Sequence, residues 1–156
     1  MKKSQLFSIC TIVLGALALI LYMFCPALKA DGLGGDTTYS GVELMFGKST
    51  TVLGTKVTIF KFSFLLFLGF IFAIAGLVIT ILPMAGVKFK LFPIIALACF
   101  IVAALFAFLS KTCCVLGNGD MGAGDGTGLG VGAIIGGILY ILAACTSALP
   151  LVLKDK

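Results

Sequence analysis

Residues 131–153 read VGAIIGGILYILAACTSALPLVL, a run without one charged side chain. A helix needs about 20 mostly apolar residues to cross the roughly 30 Å hydrocarbon core of a bilayer, and this run supplies them. It also carries the clearest periodicity in the chain. Gly128, Gly132, Gly136, Tyr140, Ala144 and Ala148 recur every four residues, and Ala133 and Gly137 widen the same smooth face. Small residues at that spacing let a second helix approach closely in lipid, where packing rather than the hydrophobic effect drives association.

Working outward, three more uncharged apolar runs stand at residues 6–28, 62–84 and 91–109. The 156 residues are 61% hydrophobic and only 11% charged, with a mean hydropathy of +1.26. A soluble domain carries about 25% charge, and a chain this short cannot hide so much apolar surface inside itself. The sequence therefore predicts a single membrane domain over 1–156, all-α: a four-helix transmembrane bundle in the cell membrane. Glycines and alanines in the other runs (Gly15 and Ala18, Gly69 with Ala73 and Gly76, Ala96 with Ala103 and Ala107) give each helix a surface for its neighbours.

Positive charge sets the orientation. The eleven basic residues are all lysine. Lys2, Lys3, Lys88, Lys90, Lys154 and Lys156 fall on short segments at one side, which places both termini inside. The segments 29–61 and 110–130 become outer loops. The first run reads as an uncleaved anchor: it is longer than the 7–15 apolar residues of a secretory signal. A net charge of +5 does not imply nucleic acid, because the lysines are scattered and no arginine offers a bidentate phosphate clamp.

The first outer loop alternates. Val42, Leu44 and Phe46 flank Glu43 and Met45; Val57 and Ile59 flank Thr58; Gly47 and Gly54 punctuate the runs. Period-two alternation between glycine breaks predicts short antiparallel strands, and the five apolar positions form the candidate interaction loop. The second loop, with Gly117-Asn118-Gly119-Asp120 and Gly124-Asp125-Gly126, reads as a solvated turn, with too few carboxylates for a calcium loop.

Cys10, Cys99 and Cys145 lie inside apolar runs and read as small buried hydrophobes. Cys25, Cys113 and Cys114 share one depth on the oxidising side, so a disulfide from Cys25 to either of the others is the candidate bridge. With no histidine and no Cys-x-x-Cys pair, no metal or cofactor is expected.

This layout resembles that of claudins and related tetraspan proteins: a long strand-bearing first outer loop, a tight inner hairpin at Gly86–Lys90 and a shorter second loop. Gly41-Val42-Glu43-Leu44-Met45-Phe46 stands in that first loop, but the family's Gly-Leu-Trp motif and its paired loop cysteines are absent. The resemblance is one of topology over the whole chain and transfers no functional residue.

No nucleophile sits beside a base, and no charged residue lies within an apolar run, which argues against an enzyme and against an ion-coupled carrier. The expected function is that of a structural or interaction protein. Its partners would be the lipid bilayer and either further copies of itself or another membrane protein, met through the strand-bearing loop. An oligomeric channel or transporter subunit joined through the glycine face is one competing expectation. Thiol-redox chemistry at Cys113-Cys114 is another.

Overall fold

Charge-free stretches become helices wherever nothing in the chain stops them, and the stops are readable. The computed structural model describes residues 3–32, 35–87 and 89–153. Helix α1 (Lys3–Phe24) ends just before Pro26, whose ring disfavours helical backbone at Cys25. Helix α3 (Phe64–Ile81) starts on Ser63, whose side chain accepts from the Leu66 amide, and gives out ahead of Pro83. Helix α4 (Phe92–Phe108) starts with proline in its first turn. Helix α6 (Val131–Leu153) carries Pro150 in its last turn. Two short helices, α2 (Gly41–Phe46) and α5 (Ser110–Cys113), lie outside the apolar runs.

The expectation of an all-α four-helix transmembrane bundle is overturned. The described residues form a mixed α/β fold of six helices and two three-stranded antiparallel sheets. Three helices (α1, α3 and α6) are long and apolar enough to cross a membrane. The fourth apolar helix, α4, has 17 residues, or about 26 Å, because Pro93 fixes its start and the backbone turns off into α5 at Leu109. Hydropathy counts apolar residues. It does not see that the first and last of them are spent on caps and turns.

The strands arise partly where a span was expected and partly where a plain turn was. One sheet has the order β2–β1–β6, from β1 (Pro26–Gly32), β2 (Gly35–Ser40) and β6 (Thr127–Leu129). The other has the order β3–β4–β5, from β3 (Lys48–Val52), β4 (Thr55–Lys61) and β5 (Val115–Leu116). Residues 26–28, read as the end of a helix, open β1. The second loop is no free turn, since it supplies the third strand of both sheets: Leu28 pairs with Leu129, and Phe60 with Leu116. The stretch 42–46, read as a strand, is helix α2. A complete capping box at Ser40 and Glu43 starts it, and local capping overrode the period-two pattern.

The long helices contact one another in the cyclic order α1–α6–α4–α3. Phe100 of α4 is fully buried at their centre. Its ring rests against Gly15 of α1 and Gly76 of α3, where a side chain would stand within about 3 Å of it, and it stacks on Tyr140 of α6 at 6.4 Å. The sheets form a cap over one end of the helices. The two sheets meet where Tyr39 of β2 packs edge-on to Phe60 of β4, ring centres 4.9 Å apart. Four of the lysines on which the expected orientation rests, at positions 2, 88, 154 and 156, lie outside the described residues.

Candidate functional site

The part of the cap least tied to the rest is the β3–β4 hairpin. Its turn is Val52-Leu53-Gly54-Thr55, and both central residues have positive φ, 50° at Leu53 and 81° at Gly54. That combination is the type I′ signature, whose twist matches paired strands. Glycine adopts it freely; leucine does not, at roughly 1–2 kcal/mol. Leu53 is also fully exposed. Val52 and Val57 beside it are about half exposed, and Lys56 lies across from Thr51.

Strand β3 is an edge. It pairs with β4 on one side, and no described residue pairs with it on the other. The Val52–Thr55 pair closes the two-residue loop, so by the alternation of the antiparallel ladder Ser49 and Thr51 turn their N–H and C=O groups outward. Edges are normally blunted by lysine, proline or a bulge. Here the bulge stops at Lys48/Ser49, and Ser49-Thr50-Thr51-Val52 carries neither charge nor proline. Lys48 is occupied: its Nζ lies 2.6 Å from Glu43 Oε1 and 5.2 Å over the Tyr39 ring. Burial pulls the Glu43 carboxyl upward, but hydrogen bonds from Lys48 and Ser40 outweigh it and hold the group below its ordinary range.

The candidate interaction residues thus part company. Val57 and Ile59 lie on β4, with Val57 exposed and Ile59 half-buried. Leu44 is fully buried on α2 beneath the cap. Val42 is half-buried. Phe46 is exposed and clusters with Phe62 and Phe67, the ring centres 6.3 Å and 6.0 Å away.

The small-residue positions point inward. Gly132 lies against the Cys25 backbone, and Gly136 against Tyr22 and Ala18 of α1. Tyr140 and Ala144 are buried, Ala148 is half-buried, and Gly137 sits under the Phe108 ring. Gly128 falls in β6, outside the helix. The glycine face of α6 is covered by α1 and α4 of the same chain.

Cys25, Cys113 and Cys114 are free thiols. Burial pushes the Cys113 and Cys114 thiols up, which leaves them protonated and poor nucleophiles at neutral pH. Cys99 is buried as expected of a small hydrophobe, whereas Cys10 and Cys145 are exposed on the outer faces of their helices. Among the described residues no three His, Cys, Asp or Glu side chains gather in a way that would hold a metal ion.

Two hydroxyl links that no sequence pattern announced tie α5 to α1 and to the start of α3. Tyr22 Oη and Ser110 Oγ are hydrogen-bonded at 2.9 Å, and Ser63 Oγ donates to the Cys113 carbonyl at 2.6 Å. The only sequence signal was the presence of hydroxyls at the ends of apolar runs, which does not specify partners. Comparison with known protein families, curated proteins and solved structures finds no match, so the claudin-like layout gains no support from that side.

Proposed function

We propose that this chain is a membrane-embedded interaction protein that assembles with further copies of itself through the free edge of β3. The membrane part of the reading is supported by α1, α3 and α6 and by the leucine, isoleucine and valine side chains on their outer faces. It is also supported by aromatic groups at both ends of the helices: Phe46, Phe62 and Phe64 near the cap, Phe89 and Phe92 at the far end.

The observation that carries the assembly reading is the unprotected edge Ser49–Val52 beside an apolar tip. A second β3 strand adding antiparallel sets threonine against threonine, a favourable cross-strand pairing, and brings no like charges together. Leu53, Val52 and Val57 then leave water against the partner hairpin.

Thr51→Pro tests this. It removes one outward amide while leaving the inward ladder of the hairpin intact. Self-association of the protein in nanodiscs, followed by single-molecule photobleaching, should weaken about tenfold, the loss of one or two strand hydrogen bonds. The same oligomer distribution in Thr51→Pro and the unaltered protein would sink the reading.

A further inference from the structure

At the end of the helices away from the sheets, α1, α3, α4 and α6 diverge around a cavity of about 1310 Å³. Three prolines line it: Pro83 just beyond the end of α3, Pro93 in the first turn of α4 and Pro150 in the last turn of α6. Pockets for drug-sized ligands occupy about 300–1,000 Å³, so this one suits something larger.

The wall is of two kinds. Its inner surface is made by Phe7, Ile79, Ile94 and Leu151 together with hydroxyls that are already occupied. Thr11 Oγ1 lies 2.9 Å from the Phe7 carbonyl and 2.8 Å from Thr146 Oγ1, Thr80 donates to the Gly76 carbonyl, and Ser147 donates to the Ala144 carbonyl. Hydroxyl donors spent in this way ask nothing further of a guest, and the inner wall accepts hydrocarbon. The remaining lining changes character. Lys90 lies between the Phe89 and Phe92 rings in sequence, and among the described residues it is the one charged side chain on the lining, with no described carboxylate beside it there.

We infer that this cavity holds one phospholipid with an anionic head group, its acyl chains between the diverging helices and its phosphate beside Lys90. Apolar walls, the Lys90 cation and a volume beyond that of ordinary small ligands match that chemistry together. A zwitterionic lipid would leave Lys90 facing a head group of no net charge. The inference rests on the membrane reading above and goes beyond the assembly reading, because the cavity is at the opposite end from β3.

The test is native mass spectrometry of the full chain released from vesicles of phosphatidylglycerol and phosphatidylcholine in equal parts. One retained phosphatidylglycerol per chain is expected. Lys90→Gln should lower its retention relative to phosphatidylcholine about fivefold, the weight of one lysine at an anionic surface. No stoichiometric adduct, equal retention of the two lipids, or an unchanged preference in Lys90→Gln would each overturn the inference. Flotation of the same vesicles separates the two claims: protein that floats yet retains no lipid refutes the site and leaves the membrane reading standing.

Discussion

The long helices and the turn of the β3–β4 hairpin use glycine in opposite ways. Among the helices, glycine is an absence that something else fills. A side chain at Gly69 would meet Phe106 at 2.6 Å, one at Gly137 would meet Phe108 at 2.6 Å, and Gly15 and Gly76 hold Phe100. In the hairpin, Gly54 has open space around it but a φ of 81° that other residues adopt at a cost. The helices are held by close approach, the hairpin turn by backbone conformation, and substitutions should report the difference.

The largest effect is expected at the centre of the helical layer. Phe100→Ala should cost about 3–5 kcal/mol, read as loss of thermal stability in detergent, because it empties the slot shared by α1, α3, α4 and α6. Gly69→Ala should cost about 1–3 kcal/mol through its clash with Phe106. Gly54→Ala, with no clash available, should cost about 1 kcal/mol by conformation alone. If Gly54→Ala proved as damaging as Gly69→Ala, the contrast between the helices and the hairpin turn would fail. Leu53→Asn should do the reverse and stabilise the hairpin by about 1 kcal/mol, since asparagine tolerates the left-handed region and Leu53 packs on nothing within the chain.

The smallest effect concerns pH. The Glu43 carboxyl is held below its ordinary value of 4.5, so the stability that it lends α2 is complete above that value. That stability fades as the pH falls through the lower folded value. The pair with Lys48 is partly exposed, so the loss should be a few tenths of a kcal/mol, visible as a difference between the unaltered protein and Glu43→Gln.

The helical layer was the legible half. Apolar runs without charge are one-dimensional, and residues 131–153 coincide with α6. Helix ends were less legible because they depend on single residues: Pro26 drew the end of α1 back from residue 28 to Phe24, and Ser63 moved the start of α3 from residue 62 to Phe64. The cap was legible only as local pattern. Val57 and Ile59 alternate and lie on a strand, whereas Val42, Leu44 and Phe46 alternate just as well and form a helix, because Ser40 and Glu43 cap it. The roles of β5 and β6 lay beyond any local signal, since both pair with strands from the other end of the sequence. The free edge of β3 followed from neither, for an edge is defined by what fails to pair with it.

That long-range pairing has a consequence in time. Strand β1 opens at Pro26, but its neighbour on one side, β6, begins at Thr127. At translation rates of about 5–20 residues per second, β1 waits roughly 5–20 s for β6 to be made, and the hairpin about half as long for β5. Through that interval β1 and β4 also present open edges, and the apolar helices that flank them are already committed to their surroundings. The period in which the chain is most prone to pair with the wrong neighbour is thus set by the distance along the chain between Leu28 and Leu129.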